Sequence, residues 1–496
     1  MAPHDPSAAH SRPAPDVAPA PPRVALASVD NAWLRMDDPT NLMVVTGVLM
    51  FDDRLSMRQL HDLVRSRLLR VPRFTQCVVE DALGATWVPA PEFSLDDHLV
   101  SATLPAGDDH QAALQAFCAE LMTRPFDPGK PRWQFHLVEH YGHGSALVLR
   151  VHHCIGDGLA LIYVLLSMSD DGPTPPRVER PDDATDEPVS GWAALGRTLG
   201  TAAAAVVQVP VALVRGVAAA VSDPSRLVDA GALVASGAGA LSKLLLMGPD
   251  PPSPFKGPLV VDKRVAWSSA FDVAVFKQIG TVTGCTINDV LMAALAGALR
   301  RYLLDLQREV PSTFAIRGVV PVNLRAFEKA HELGNQFGLV FLELPLGLDE
   351  PLDRLFAVRA RMQAIKRSPE AMLVYQLLRF AGTAPRTIFD GLIDLFSTKA
   401  TTVVTNVMGP RERITFAGAR MSQGMFWVPS AGRLGMGVSL LSYAGQVWLG
   451  LQTDAELVPA PARLLEHFSE EVDALVALAS EPTQTATRGA GVPPRR

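Results

Sequence analysis

"RVHHCIGDGLA", Arg150 to Ala160, sets two histidines side by side and places an Asp-Gly four residues after the second. Histidine is scarce, 12 in 496 residues, so the adjacent pair calls for a chemical reason. The preceding "QFHLVEHYGHGSALVLRVHH" reads as two strands joined by a Gly-containing turn at Tyr141 to Ser145. The following "GLALIYVLLSM" reads as a buried helix. The pair therefore lies between a strand and a helix, where a rigid scaffold commonly presents active residues.

Three chemistries compete for it. His152, His153 and Asp157 are all legal zinc ligands. Neighbours on extended chain point to opposite faces, however, so both histidines would struggle to reach one metal. Cys154 as a nucleophile would need a base that meets it in space, which adjacency does not supply; a small buried residue suits it better. "GVSLLSYAG" is no Gly-x-Ser-x-Gly elbow, because Leu441 stands where the second Gly should be. The third chemistry is general base catalysis, which imidazole suits with an ordinary pKa near 6.5. Only one of two neighbours at a strand end can face a cleft. Asp157 could hold the loop by pairing with a cation, and Gly158 would let the helix start close to the strand.

Working outward, Asn41 to Phe51 reads as a buried strand. "SMRQLHDLVRSRLLRVPRF" is helical, with Leu60, Leu63, Val64, Leu68 and Leu69 on one side and Ser56 as N-cap. Strand-like runs recur at Ile316 to Val322, Gly338 to Leu344, Ala400 to Val407 and Gly437 to Leu449. A strand-then-helix pattern restarts near "PFKGPLVVDKRVAW", loosely echoing the first half. Strands alternating with helices in both halves indicate α/β layers.

The chain is 48% hydrophobic and 19% charged, which suits a large buried core, and its length favours two domains. A net charge of −6 argues against a nucleic-acid binder held by phosphate contacts. Cys77, Cys118, Cys154 and Cys285 lie far apart, so neither a disulfide framework nor a zinc knuckle is expected, and a reducing cytoplasm is the natural setting. The first 22 residues hold seven prolines and lack the features of a signal peptide. Ser169 to Ser190 is a Pro- and Asp-rich linker. Gly191 to Met247 is Ala/Val-rich, with 17 uncharged residues between Arg197 and Arg215. A core-facing helix and a helix lying on a membrane surface both fit it. A span fits less well, because the run is short and broken by Gln208 and Pro210.

"HHCIGDG" resembles the His-His-x-x-x-Asp-Gly motif of coenzyme-A-dependent acyltransferases with the chloramphenicol-acetyltransferase fold. Further stretches resemble bacterial wax ester synthase/diacylglycerol acyltransferases: "KPRWQFHLVE", "TINDVLMAALAGALRRYL" with Asn288 and Asp289, "VPVNLR" ending in Arg325, "GNQFG", "TNVMGP" and "GVSLLSYAGQVWLGLQTD". Two positions depart from that pattern: Arg132 stands for the Leu of Pro-Leu-Trp, and Met408 for the first Pro of Asn-Val-Pro-Gly-Pro.

The resemblance implies two chloramphenicol-acetyltransferase-like α/β domains, each a mixed sheet with flanking helices, and an active-site channel at their interface. The expected divisions are a disordered tail over 1–23, an N-terminal domain with the motif over 24–184, a linker with apolar crossover helices over 185–255, a C-terminal domain over 256–480 and a second tail over 481–496. It also implies transfer of a long-chain acyl group from acyl coenzyme A, a co-substrate, to a fatty alcohol or diacylglycerol. No bound cofactor, metal or nucleic acid is expected. His153 would be the general base and His152 its support, without an acyl-enzyme. Asp157 would be structural, with Arg325 as partner. Asn288 and Asp289 would organise the site or cap a helix, and Trp133 would pack at the domain seam. A condensation-type acyltransferase and a non-catalytic lipid-binding relative are the alternatives. The expected location is cytoplasmic and peripheral, on the inner face of the membrane or on lipid inclusions, with Gly191 to Met247 as the contact.

Overall fold

The computed structural model describes residues 23–81, 84–173, 244, 246–325, 332–430 and 432–480. Both tails and nearly all of the apolar 191–247 stretch lie outside these residues. Along the described chain the strands are β1 (Val24–Ala25), β2 (Val44–Phe51), β3 (Gln76–Asp81), β4 (Gly84–Pro89), β5 (Leu99–Ala102), β6 (Trp133–Tyr141), β7 (Gly144–His152) and β8 (Lys263–Trp267). They continue as β9 (Phe271–Asp272), β10 (Ile316–Asn323), β11 (Phe337–Leu344), β12 (Thr402–Met408), β13 (Thr415–Phe416), β14 (Ala419–Trp427), β15 (Met436–Tyr443) and β16 (Gln446–Asp454).

The near-continuous apolar run of β7 is what a strand covered on both faces needs, and it lies inside a six-stranded sheet of order β13-β14-β2-β7-β6-β5. Its neighbours β2 and β6 pair with it antiparallel, while the β5–β6 pair is parallel. Helices Met57–Ser66, His110–Met122 and Gly158–Met168 bury Leu60, Leu63, Leu114, Val164 and Met168 in the core of this sheet. The expected Ser56 cap is a full capping box: Ser56 Oγ accepts from the Gln59 N–H, and Gln59 Oε1 accepts from the Ser56 N–H.

The second sheet runs β11-β10-β12-β15-β16-β8, with β9 added on β16, and β10–β12 and β12–β15 are its parallel pairs. Helix Ile287–Asp305 is buried along most of its length, which explains its all-round apolar sequence, and it packs beside Pro351–Lys366 and Pro461–Ser480. The run expected over Gly437 to Leu449 is two strands. Ala444 (φ 49°) and Gly445 (φ 82°) form a two-residue turn between paired Tyr443 and Gln446, and both need the left-handed conformation such turns require.

The two halves interlock. Strands β13 and β14, from the 256–480 stretch, complete the first sheet, with Gly424 opposite Leu49. A third apolar cluster joins Val29, Ala32 and Trp33 of helix Ser28–Arg35 to Val319, Phe337 and Phe341 of the second sheet and to Val374, Leu377 and Leu378 of helix Glu370–Ala381. Burying each such side chain contributes about 1.5–3 kcal/mol, so this seam is a stable floor for the site above it. Among the described residues no single helix is long and apolar enough to cross a membrane.

Candidate active site

His152 and His153 end β7 and face opposite ways, as the alternation of extended chain dictates. His152 points away from the space between the sheets. Its Nε2 lies 3.0 Å from Asp37 Oδ2, and the Cys154 N–H donates to its Nδ1 at 3.1 Å. Burial disfavours charge on this ring, whereas Cys154 and the Asp37 carboxylate favour it, for a net rise to about 9. When the ring is neutral its hydrogen sits on Nε2, toward Asp37, because Nδ1 accepts from the Cys154 N–H; the second proton that Asp37 favours would have to displace that contact. Arg132 stands 3.9 Å from the same Asp37 carboxylate, so this departure from the family pattern adds a cation to the support of His152.

His153 faces the other way, into a cavity of about 700 Å³. Its ring stacks on Trp33 at 4.4 Å between centroids and lies 5.6 Å from Phe337. Its main-chain N–H donates to Met43 O at 2.7 Å, and its carbonyl accepts from Asn335 Nδ2 at 2.8 Å. Burial pushes its pKa down to about 4, against the pull of its own carbonyl oxygen and of Asp157. The ring is therefore neutral at neutral pH. Nδ1 is sealed from solvent without a partner, and Nε2 is the nitrogen left open to the cavity.

Asp157 does two jobs. Oδ1 accepts from the Ala160 N–H at 2.9 Å and caps helix Gly158–Met168. Oδ2 receives Arg325 Nη2 at 3.3 Å and the Gln336 N–H at 2.9 Å. Arg325 also donates to the Gly334 carbonyl at 2.6 Å. The motif loop is thereby tied to the "GNQFG" stretch of the other half, with Gly156 bridged to Gly334.

Gly158 is not where chain approach is tight. A Cβ there would meet nothing within 4 Å, whereas one at Gly156 would lie 3.3 Å from the Ala160 Cβ. Gly158 instead lines the main cavity and a smaller apolar one of about 160 Å³ beside it, so its missing side chain keeps the space between them open.

Asp289 is a helix cap: with Thr286 it forms a capping box, Oδ2 accepting from the Thr286 N–H at 2.8 Å. Asn288 reaches the cavity wall indirectly, its Oδ1 accepting from Asn406 Nδ2 at 2.7 Å, and Asn406 lines the cavity. Trp133 is core packing, but inside the first half rather than at the seam. It stacks on His98 at 4.5 Å and donates from Nε1 to Phe74 O at 2.8 Å. Met408 is 85% exposed while lining the cavity, which puts it at the mouth. Cys154 is fully buried, and no cluster of ligating side chains that could hold a metal occurs among the described residues.

The wall of the main cavity comes from both halves: Trp33, His153, Gly158 and Ile162 from the first, and Val319, Phe337, Leu377, Phe396 and Val403 from the second. Its volume falls in the range of about 300–1,000 Å³ typical of small-molecule sites. Such a surface suits aliphatic chains, with one imidazole nitrogen presented at its wall. Asp30, Trp33, Asp37, Asn335 and Phe337 surround the two histidines without having been singled out in the sequence. Asn335 and Phe337 sit within the motif-like "GNQFG", the one available signal.

The sequence model of the wax ester synthase/diacylglycerol acyltransferase catalytic domain matches residues 26–291, and that of the WS/DGAT C-terminal domain matches 333–476. A putative diacylglycerol O-acyltransferase of Mycobacterium tuberculosis H37Rv is 30% identical over 440 residues, covering 81% of this chain and 85% of its own. A probable diacylglycerol O-acyltransferase of the same strain is 27% identical over 415 residues, 82% of this chain and 85% of its own. Among solved structures, the wax ester synthase/diacylglycerol acyltransferase of Marinobacter aquaeolei VT8 superposes with a TM-score of 0.64 at 20% identity, covering 92% of this chain and 99% of that one. The starter condensation domain of rhizomide synthetase, in complex with C8-CoA, shares the fold with a TM-score of 0.56 at 14% identity, covering 93% and 96%.

Proposed function

Because the chain belongs to the wax ester synthase/diacylglycerol acyltransferase family, we propose that it moves a long-chain acyl group from acyl coenzyme A to the hydroxyl of a fatty alcohol or diacylglycerol, with His153 as general base. The observation that carries this reading is the single accessible imidazole nitrogen, Nε2 of His153, at the wall of an apolar cavity between the halves.

The acceptor O–H gives its proton to the neutral Nε2 while its oxygen forms a bond to the thioester carbonyl carbon. The carbonyl oxygen becomes an oxyanion. Collapse breaks the C–S bond, and the thiolate takes the proton back from Nε2. No side-chain nucleophile enters, in keeping with the buried position of Cys154. The oxyanion needs a donor aimed at it. Asn323 lines the cavity with its Oδ1 already occupied by the Arg325 N–H at 2.9 Å, which leaves its amide nitrogen to donate; Thr405 supplies a hydroxyl on the same wall. Asn406 has given its nitrogen to Asn288.

The acceptors dissolve in bilayers or lipid droplets rather than water, so the enzyme works at a lipid surface, collecting acyl coenzyme A from the aqueous side. The test is incubation of purified protein with palmitoyl coenzyme A and either hexadecanol or diacylglycerol. Free thiol and ester released in equal amounts support the reading. Binding of both without turnover makes the protein a lipid binder instead.

A further inference from the structure

Helix Ser28–Arg35 lays the indole of Trp33 flat on the candidate base. The two ring centroids are 4.4 Å apart, and the planes differ by 18°. Phe337 lies against both rings, 5.6 Å from the imidazole and 5.5 Å from the indole. Trp33 is 4% exposed, and its Nε1 is sealed without a hydrogen-bond partner among the described residues. A buried indole N–H usually finds a partner. Leaving it bare is costly, and phenylalanine would fill space without that cost. What tryptophan adds is the most electron-rich face of the aromatic side chains, the best at attracting a cation.

The helix is held from behind. Asn31 Nδ2 donates to Gly382 O at 2.7 Å and Arg35 Nη1 to Ala384 O at 2.8 Å, in the turn between helices Glu370–Ala381 and Arg386–Thr398. A Cβ at Gly382 would overlap Ser28 O, so glycine is what lets the turn press on the helix. Val29 and Trp33, one turn apart, are thereby fixed in the apolar seam beside the site.

The groups around the imidazole leave its charge poorly met. Its own carbonyl oxygen and Asp157 favour a proton on the ring, His152 opposes one, and burial outweighs them all. Asp157 is already shared among Arg325 and the N–H groups of Ala160 and Gln336. Asp30, on the same helix as Trp33, is taken up by Asn335. Yet a general base carries a proton for part of every cycle. The acceptor hydroxyl gives its proton to Nε2 and the departing thiolate takes it back, and between those events the buried ring is an imidazolium. We propose that Trp33 stabilises this imidazolium through its π face, meeting the charge that a dry cavity disfavours at the moment it forms. The neutral ring stacks on the same face with less electrostatic gain. The contact therefore strengthens toward the transition state and speeds the chemical step rather than substrate binding. Trp33 exchanges no proton and acts through the ring.

This inference rests on His153 being the base, and the experiment separates the two. Position 33 receives tryptophans of increasing ring fluorination, which keep the shape while draining the π face of electrons. With palmitoyl coenzyme A and hexadecanol, kcat should fall stepwise, by about tenfold across the series, with KM within about twofold. In ¹⁵N-histidine-labelled protein near pH 4, where wild-type His153 is about half protonated, the protonated share should fall along the same series without any turnover. Trp33→Phe should turn over faster than Trp33→Leu, and a melting curve for each shows that it is folded. A flat kcat across the fluorinated proteins, with His153→Ala inactive, overturns the proposal and makes Trp33 packing alone. With His153→Ala still active, it is the assignment of the base that falls. The NMR series then decides for Trp33 by itself: a falling protonated share supports the stabilised charge, and a constant one overturns it.

Discussion

Arg325 Nη2 lies 3.3 Å from Asp157 Oδ2, and neither side chain is exposed beyond 4%. The pair joins the motif loop that follows β7 to a residue two positions past the end of β10, 168 positions away. Removing either partner breaks a buried ion pair, which typically costs about 3–5 kcal/mol. Asp157→Ala also loses the cap on helix Gly158–Met168, worth about 1 kcal/mol. Urea unfolding of Asp157→Asn, Arg325→Met and the double variant should show a double cost well below the sum. Strict additivity would mean that the two groups are independent.

The pH dependence of kcat/KM reports on the free enzyme's base. Burial holds His153 near 4, below the ordinary 6.5, so the ring is a competent base at any pH above that value. The acid limb should therefore fall near 4. In the same window the unfolded chain binds a proton that the folded ring refuses, so stability should fall as pH drops from 6.5 toward 4. Brief assays after a pH jump separate the two effects. A limb at 6.5 would show a solvated imidazole at work.

Gly158 lines both cavities, and its missing side chain keeps the space between them open. Leucine there meets no atom in its first carbon and suits a first helical turn, so Gly158→Leu should melt close to wild type. It should lower kcat/KM about tenfold for sixteen-carbon substrates and much less for short ones, because the added group intrudes on space only a long chain needs. Equal loss at every chain length would mean that the chains run elsewhere.

Local patterns carried much of the architecture. The helix Gly158–Met168 follows directly from an apolar stretch after Asp-Gly, and the Ser56 cap from a hydroxyl ahead of a periodic run. The Asp157–Arg325 contact came through family resemblance rather than spacing. What stayed hidden depends on chain segments meeting in space. Asp37 reaches His152 across 115 positions, and Asp30 reaches Asn335 across 305. No periodicity encodes such distances. The pairing of β14 with β2 is hidden for the same reason. The sequence points to a close start of the helix at Gly158, whereas what its hydrogen leaves open is a cavity, visible only once both walls are in place.

The central claim is that His153 and not His152 moves the proton. It is tested by measuring thiol release from palmitoyl coenzyme A with hexadecanol for His153→Ala and His152→Ala side by side, with a melting curve for each. His153→Ala should lose roughly 10²- to 10⁴-fold in kcat and remain folded. His152→Ala should lose far less turnover and show its effect in stability, since it breaks the contact with Asp37. Near-normal turnover in a folded His153→Ala, with His152→Ala inactive, would contradict the account.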